Sequence, residues 1–197
     1  MPTPKPPATN LALIGGRGCG KSSVSRRVLA RDKRFTLWSL DMVVRYEAGG
    51  LPIPEIVERH GWSAFRDLEA RVVEKATRFP DWQLLDCGGG VVVDLDDDGN
   101  EILSERKVTM LRENAFVVYL ERDLGFLEDK VRGDSNRPDL SATESFADIM
   151  ARREPWYRAA AHYVVNARGL RKHQILTKVL EAFYARTGVA PIAPDRG

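Results

Sequence analysis

The stretch LALIGGRGCGKSS, at residues 11–23, decides the fold of this protein. Its first four residues are apolar and predict a short buried strand, and the glycine-rich residues 15–20 predict a tight loop after it. Residues 22–30 are then expected to form a helix. A strand, a glycine loop and a helix in this order are typical of one unit of an α/β sheet protein.

Within this stretch, the pattern Gly15-x-x-x-x-Gly20-Lys21-Ser22 matches the phosphate loop that binds ATP or GTP. Small residues let backbone N–H groups turn towards phosphate oxygens, and the start of the helix adds positive potential. The Lys21 ammonium is expected to reach the outer phosphates, and the Ser22 hydroxyl to bind Mg²⁺. The expected nucleotide contacts are Gly16, Gly18, Cys19, Gly20, Lys21, Ser22 and Ser23.

Strands and helices alternate along the rest of the chain. Apolar runs predict further strands at residues 35–38, 83–86, 115–120 and 163–165. Helical spacing predicts helices at residues 41–48, 55–60, 63–79, 124–131, 145–161 and 175–186. The expected fold is therefore α/β, with a doubly wound parallel sheet flanked by helices. We expect a single domain over residues 11–187, between disordered tails at residues 1–10 and 188–197.

The composition limits the classes of partner. The chain has 197 residues, a length typical of one domain, and a formal net charge of +2, so no strong field attracts nucleic acid or a membrane. The longest apolar runs are far shorter than the roughly 20 residues of a membrane helix. Two cysteines, Cys19 and Cys87, are too few for a disulfide framework, and no signal peptide is recognisable. We therefore expect a cytoplasmic protein with reduced thiols.

Five short motifs follow the phosphate loop and point to the molecule that is phosphorylated. In chain order they are Ser39-Leu40-Asp41, Phe65-Arg66-x-x-Glu69, Gly88-Gly89-Gly90, Asn136-Arg137-Pro138 and Arg153-x-Pro155-x-Tyr157. Each of them alone is common in proteins, but the ordered set resembles the shikimate kinase family over residues 11–186. A small anionic polyol needs arginines for its carboxylate, close backbone approach for its ring and a carboxylate beside its attacking hydroxyl.

The resemblance implies a fold, an activity and its cofactors. The fold would be that of nucleoside monophosphate kinase-like phosphate-loop proteins, with a lid at about residues 132–142. The activity would be ATP-dependent phosphorylation of the 3-hydroxyl of shikimate with Mg²⁺, as a step towards aromatic amino acids. We expect a monomer whose partners are small molecules.

The resemblance also implies roles for the motif residues. Arg66 and Arg153 would grip the shikimate carboxylate, Glu69 would orient Arg66, and Asp41 would hydrogen-bond the attacking hydroxyl. The Gly88, Gly89 and Gly90 backbone would approach the ring. The catalytic residues would be Lys21, Asp41 and Arg137, the last of which the lid would bring onto the transferring phosphate.

Two positions depart from the family pattern at the nucleotide. The family usually has a carboxylate near Mg²⁺ where this chain has Ser39, and we hypothesise that Asp86, at the end of the third strand, takes over that role beside Ser22. The alternative is that Asp86 is only a strand-end residue. Lys130 stands where the family commonly has an adenine-stacking arginine, and Arg168 is a further candidate for the base pocket.

A third departure is the segment after the glycines. Asp94-x-Asp96-x-Asp98-Gly99, followed by Glu105, fits the spacing of a calcium loop. Its Asp-Gly and Gly-Asn pairs also favour a polar turn that reverses the chain, and we prefer this interpretation.

Two other functions stay open from the sequence. One is a kinase for a different small hydroxy acid, such as gluconate, because the two arginines indicate a carboxylate but not its ring. The other is a regulatory homologue that binds nucleotide without catalysis, which the Ser39 substitution keeps possible.

Overall fold

A computed structural model describes residues 9–132 and 144–192 of the chain. Its elements, in chain order, are β1 (Leu11–Ile14), α1 (Lys21–Arg31), β2 (Thr36–Ser39), α2 (Leu40–Glu47), α3 (Ile53–Thr77), β3 (Gln83–Asp86), β4 (Val93–Leu95), β5 (Glu101–Leu103), α4 (Glu105–Asn114), β6 (Phe116–Glu121), α5 (Leu124–Val131), α6 (Phe146–Ala160), β7 (Tyr163–Asn166) and α7 (Lys172–Thr187). The α/β fold expected from the sequence is confirmed.

The central sheet has five parallel strands in the order β2-β3-β1-β6-β7. Since all five run in the same direction, their carboxyl ends lie along one edge of the sheet. The register places Leu13 beside Asp86, and Asp86 beside Ser39, at that edge. The loop after β1 and the ends of β2 and β3 therefore meet in one place.

Side chains of β1 alternate between two hydrophobic clusters, one on each face of the sheet. Ala12 and Ile14 belong to the cluster that holds Val72 of α3, whereas Leu11 and Leu13 belong to the cluster that holds Val179 of α7. Successive strand residues point to opposite faces, so a fully apolar strand requires helices on both sides. This alternation is the physical basis of the doubly wound arrangement.

The region predicted to contain two consecutive helices, at residues 55–60 and 63–79, is α3. Gly61 interrupts it with φ 78° and ψ 167°, which is far from helical geometry. Only glycine adopts such a conformation without strain. The prediction of two helices is confirmed, with the break at Gly61.

The segment after the glycines forms a β-hairpin followed by a helix. β4 and β5 pair antiparallel as a separate two-stranded sheet, and the turn between them contains Asp96 and Gly99. The chain reversal expected there is confirmed, but the sequence pattern indicated neither the two strands nor α4. Two strands of three residues carry too little periodicity to be recognised.

Asn10, which the sequence places in the N-terminal tail, is buried at the start of β1. Its side chain donates to the carbonyl oxygens of Phe79 (2.8 Å) and Asn114 (3.1 Å), and accepts from the backbone N–H of Gln83 (2.9 Å). It therefore ties β1 to the ends of α3 and α4 and to β3. The predicted lid and its Arg137 lie outside the described residues, except for Arg132. No helix in the described parts of the chain is long and apolar enough to span a membrane.

Candidate active site

The phosphate loop closes on Lys21, the first residue of α1. Gly20 precedes the helix with φ 103°, a left-handed conformation that glycine tolerates. The buried Lys21 ammonium donates to the carbonyl oxygens of Gly15 (2.7 Å) and Gly16 (3.1 Å). Burial alone lowers the pKa of Lys21. The acidic groups around it outweigh burial and raise this pKa, with the larger effects from Cys19 and Tyr157 and the smaller ones from Asp86 and Asp41. The Lys21 side chain therefore stays positively charged at the loop.

A wide cavity lies over the phosphate loop and the carboxyl ends of β2 and β3. Residues of the loop, of α2 and of the strand ends line it, namely Arg17, Gly18, Gly20, Lys21, Ser22, Ser23, Ser39, Asp41, Met42, Arg45, Pro52, Ile53, Asp86 and Cys87. Of the predicted nucleotide residues, Gly16, Cys19, Lys130 and Arg168 do not line it. The Cys19 side chain is buried in the core, and its backbone N–H donates to the carbonyl oxygen of Gly16 (3.3 Å).

A second, smaller cavity adjoins the first. It is lined by Arg17, Asp41, Ile53, Trp62, Phe65, Arg66, Glu69, Gly88, Gly89, Gly90 and Arg153. All the residues predicted to bind the substrate therefore surround one space. Arg17 and Asp41 border both cavities, so a molecule in the small cavity lies directly beside one in the large cavity.

Arg66 is a residue of α3, and contacts with three groups hold its side chain in place. Its Nη1 donates to Glu69 Oε2 (3.1 Å) and to the carbonyl oxygen of Gly90 (3.3 Å), and its guanidinium lies 5.1 Å from the ring centre of Trp62. The side chain is only 4% exposed. Its Nε is buried and has no hydrogen-bond partner among the described residues. An arginine fixed in this manner presents its charge in one direction.

Glu69 is shared between two cations. Lys107 of α4, which is fully buried, donates from Nζ to the same Glu69 oxygen (2.7 Å) and to the carbonyl oxygen of Val93 (2.6 Å). Burial alone raises the pKa of Glu69, but Lys107 and Arg66 outweigh burial and lower it. The pKa of Lys107 is also lowered, because burial exceeds the effect of Glu69. The Glu69 carboxylate is thus held ionised between two elements.

Arg153 lies in the middle of α6 and lines the same cavity. Its Nε donates to Glu101 Oε2 (2.9 Å), and its Nη2 donates to Glu101 Oε1. Its side chain is 2% exposed. Tyr157, one helical turn further on, donates its hydroxyl to the carbonyl oxygen of Gly89 and stacks on Tyr119. α6 therefore contributes an arginine and an anchor for the glycine loop.

The three glycines let charged side chains lie against the loop. A Cβ at Gly88 would meet Asp41 Oδ1, and a Cβ at Gly90 would lie 2.8 Å from Arg66 Nη2 and 2.9 Å from Arg66 Cζ. A Cβ at Gly89 would lie 3.1 Å from the backbone nitrogen of Arg17. None of the three has a positive φ, so the reason for glycine here is close approach and not backbone strain.

The two residues expected at the nucleotide base lie near the loop. A Cβ at Gly18 would be 2.8 Å from Lys130 Cβ, so Lys130 packs directly against the phosphate loop. Arg168 is exposed in the loop after β7. Arg122, which the sequence did not single out, donates to the carbonyl oxygens of Cys19 (3.5 Å) and Ala167, and so joins this loop to the phosphate loop.

The strand ends offer oxygen donors that fit Mg²⁺. Ser22, Ser39 and Asp86 line the large cavity, and Ser39 and Asp86 are direct neighbours across β2 and β3. The described residues contain no group of three or more His, Cys, Asp or Glu side chains with metal-binding geometry. Mg²⁺ commonly uses one or two protein oxygens and completes its shell with water and phosphate oxygens. A hydroxyl and a single carboxylate are therefore a suitable set.

Asp94 of the calcium-like pattern is bound within the protein. Its carboxylate accepts from the Ser104 hydroxyl (2.7 Å) and from two nitrogens of Arg106 (2.8 and 2.9 Å). Asp96 accepts the backbone N–H groups of Asp98 (3.0 Å) and Asn100 (2.8 Å) within the turn. These carboxylates build the hairpin, which is the interpretation preferred from the sequence.

Among the site residues that the sequence did not predict are Arg17, Glu101, Lys107 and Tyr157. Arg17 and Tyr157 stand inside recognised motifs, so their position in the motif was the available signal. Glu101 and Lys107 lie in the hairpin and α4. No spacing in the sequence connects them to Arg153 or Glu69, which they reach across 52 and 38 positions.

A parallel sheet with a glycine-rich phosphate loop after β1, and a smaller cavity with two arginines beside it, place the protein in the class of phosphate-loop kinases. Comparison with known proteins narrows the class. The family model for shikimate kinase matches residues 17–184. A shikimate kinase of Leptospira biflexa is 46% identical over 172 residues, which are 87% of this chain and 94% of that protein. The chain belongs to the shikimate kinase family.

A further relative and two solved structures agree with this family assignment and with the fold. A shikimate kinase of Leptospira borgpetersenii is 38% identical over 173 residues, covering 87% of this chain and 96% of that one. The structure of shikimate kinase from Acinetobacter baumannii in complex with shikimate matches with a TM-score of 0.75 at 25% identity, over 91% of this chain and 94% of that chain. A shikimate kinase from Aquifex aeolicus shares the fold, with a TM-score of 0.71 over 89% and 96% of the two chains.

Proposed function

We propose that this chain transfers the terminal phosphoryl group of ATP to the 3-hydroxyl of shikimate, giving shikimate 3-phosphate and ADP. The observation that carries the proposal is the pairing of Arg66 and Arg153, both buried, in one small cavity beside the phosphate loop. Two guanidinium groups facing one space create a site for a carboxylate, since their charge is permanent and their donors are planar. The relatives named above are shikimate kinases, which supports shikimate as the molecule that carries this carboxylate.

The walls of the small cavity suit a polyhydroxylated ring. Ile53, Trp62 and Phe65 provide apolar surface for the ring carbons, and the Gly88 to Gly90 backbone leaves room for close approach. In this proposal the carboxylate lies between the two arginines, and the ring hydroxyls face the glycine loop and Asp41. Glu69 keeps the Arg66 guanidinium in place for the carboxylate.

Asp41 is proposed to orient the attacking hydroxyl by accepting its hydrogen bond. Asp41 and Arg17 stand where the two cavities meet, which is where the hydroxyl oxygen and the terminal phosphorus must approach each other. Phosphoryl transfer depends chiefly on positioning and on neutralising charge, so orientation by Asp41 is sufficient without a strong base.

The nucleotide side of the proposal rests on the phosphate loop. Lys21 would move its ammonium from the carbonyl oxygens of Gly15 and Gly16 to the phosphates, a short movement of a single side chain. The backbone of Gly16, Gly18, Cys19 and Gly20, with Ser22 and Ser23, would surround the phosphates. Lys130 and Arg168 would lie at the base. Arg137 would approach the transferring phosphate and remains a proposal from the family resemblance.

Asp86 is proposed to hold Mg²⁺ together with Ser22. When bound, the ion supplies positive charge that neutralises the phosphates. The support is that Asp86 is the strand neighbour of Ser39, so a carboxylate moved from one strand to the next still faces the same cavity. The carboxylate that the family usually has at the position of Ser39, and Asp86 in this chain, would thus stand on neighbouring strands and face the same cavity.

The magnesium proposal is tested by moving the carboxylate. Asp86→Ser should raise the Mg²⁺ concentration needed for half-maximal turnover about tenfold, because one charged ligand is lost. The double variant Ser39→Asp with Asp86→Ser should return it towards the wild-type value. An unchanged magnesium dependence in Asp86→Ser refutes the assignment.

The function itself is tested by ADP release from purified protein with Mg²⁺ and ATP. Shikimate, gluconate and quinate are added separately. Stimulation by shikimate is the expected result, and Asp41→Asn should lower turnover far more than ATP affinity. Stimulation by gluconate alone would assign a different acceptor, and ATP binding without any stimulation would favour the regulatory homologue.

We further propose that the protein acts as a monomer in the cytoplasm with small molecules as its partners. Residues of a single chain line both cavities, so no second copy is needed to complete the site. The two cysteines are free and buried, in keeping with a reducing compartment.

A further inference from the structure

The β4–β5 hairpin carries a glutamate to Arg153, which lines the small cavity. Glu101 is the first residue of β5, and the antiparallel pairing places it opposite Leu95, next to the turn. Asp94 joins the hairpin to the start of α4 by accepting from Ser104 and Arg106, and the Asp96 hydrogen bonds fix the turn itself. Its backbone is therefore well fixed, and Glu101 extends from a rigid support.

Glu101 meets the Arg153 guanidinium along one edge. Both carboxylate oxygens are used, one by Nε at 2.9 Å and the other by Nη2. A two-point contact of this kind fixes the plane of the guanidinium as well as its distance. Arg152 also donates to Glu101 Oε2, at 3.1 Å, so the carboxylate charge is divided between two arginines. The Glu101 side chain is only 13% exposed, which limits screening by solvent.

Arg153 lines the substrate cavity and lies one helical turn before Tyr157 on α6. Burial lowers the pKa of Arg153, but Glu101 and Tyr157 outweigh burial and raise it. Tyr157 in turn donates to the carbonyl oxygen of Gly89. Arg153 is thus fixed by the hairpin, on the same helix as the tyrosine that anchors the glycine loop, and it lines the cavity.

The arrangement parallels that of Arg66. Each cavity arginine has its own glutamate, Glu69 for Arg66 and Glu101 for Arg153, and each glutamate is shared with a second cation, Lys107 or Arg152. Sharing matters because a glutamate devoted to a single arginine would cancel the charge that the substrate carboxylate needs. The sequence pattern identified Glu69, but not Glu101.

We propose that Glu101 is a positioning residue for the substrate carboxylate, acting through Arg153. The inference rests on the proposed function, because it assumes that Arg153 binds that carboxylate. Glu101 occupies only the Nε and Nη2 edge, so Arg153 keeps other donors for the substrate. The hairpin is then a specificity element of the active site, and not a surface insertion.

The test compares Glu101→Gln with Glu144→Gln. Both remove a carboxylate from Arg152, but only Glu101 touches Arg153. Glu101→Gln should raise the KM for shikimate about tenfold, because one charge-assisted contact is weakened. The kcat and the KM for ATP should stay within about twofold, and Glu144→Gln should leave all three near wild type. Glu101→Asp, which keeps the charge at shorter reach, should give an intermediate KM.

A second readout separates positioning from general stability. The dissociation constants of shikimate and of shikimate methyl ester, which has no charge, are measured by calorimetry for wild type and Glu101→Gln. The preference for the charged ligand should fall about tenfold in the variant. Equal weakening of both ligands, an unchanged KM, or a lower KM for shikimate overturns the proposal. If Glu101→Gln does not fold, the ratio of the two dissociation constants is measured for Glu101→Asp, and a fall in that ratio supports the proposal while an unchanged ratio overturns it.

The outcome for the proposed function is read separately, from the wild type alone. If wild type responds to gluconate or quinate instead of shikimate, the proposed function fails. The Glu101→Gln and Glu144→Gln comparison is then made with that acid, and the same tenfold rise is expected. If no carboxylate-bearing acceptor binds to wild type, both proposals are overturned.

Discussion

Replacement of Gly90 by alanine tests whether close packing of Arg66 against the glycine loop controls substrate binding. A Cβ at this position would lie 2.8 Å from Arg66 Nη2 and 2.9 Å from Cζ, whereas ordinary contacts begin near 3.4 Å. The guanidinium must therefore move by about 0.6 Å or more. Because Arg66 is buried between Trp62, Glu69 and the loop, the movement cannot be absorbed in solvent.

The size of the effect follows from the bond that is lost. The Arg66 to Glu69 hydrogen bond is already 3.1 Å long, so a shift of this size away from Glu69 takes it beyond hydrogen-bond range. A hydrogen bond to a charged group contributes about 1.5–3 kcal/mol. We expect the KM for shikimate to rise about 10- to 150-fold, while the KM for ATP changes less than about twofold.

The assay is steady-state ADP release with shikimate varied at saturating ATP, together with thermal unfolding. Gly125→Ala is the matched control, because its nearest neighbour would be at 3.9 Å and its φ is not positive. The control should keep the wild-type KM for shikimate. A folded Gly90→Ala protein with wild-type shikimate affinity would refute the reasoning.

Two further predictions concern stability. Lys107→Met should lower the free energy of unfolding by about 3 kcal/mol in urea titration, because Glu69 loses its closest buried partner. Since the folded-state pKa of Glu69 is lowered, its contribution is present above about pH 4.3 and is lost as pH falls through that lower pKa. In Lys107→Met the pKa of Glu69 is lowered less, so stability should fall less steeply between pH 7 and acid pH than in wild type, and an unchanged pH dependence would contradict this account. Asn10→Ala should lower the free energy of unfolding by about 2–4 kcal/mol, because three part-buried backbone groups lose partners, while the KM for shikimate stays at its wild-type value. A stability loss below 1 kcal/mol would place Asn10 in the tail, as its sequence position predicts.

Much of the fold was predictable because its signals are local. The apolar run at residues 11–14, the glycine loop and Lys21 define β1 and α1 without reference to any distant residue. The helix break at Gly61 is likewise visible in the sequence, since two helical patterns meet there. The hairpin and α4 were not recognised, because strands of three residues contain fewer than two repeats of a strand pattern.

The candidate site likewise has one part that the sequence predicted and another part that it did not. Arg66 and Glu69 lie three residues apart on one helix, so their ion pair follows from helical spacing. Asp86 and Ser39 are 47 positions apart, and only the parallel register of β2 and β3 makes them neighbours. Lys107 and Glu101 reach the site from elements that no motif marks.

The sequence alone thus determined the phosphate loop, the α/β class and the residues with the chemistry to bind a phosphate and a carboxylate. Their spacing is set by backbone geometry within a few residues, which is the range over which sequence patterns act. Only the tertiary structure decided which charges are shared, with Glu69 between Arg66 and Lys107, and Glu101 between Arg153 and Arg152. Such pairing depends on burial and on distances across elements, and these exist only once the sheet has brought its strand ends and surrounding helices together.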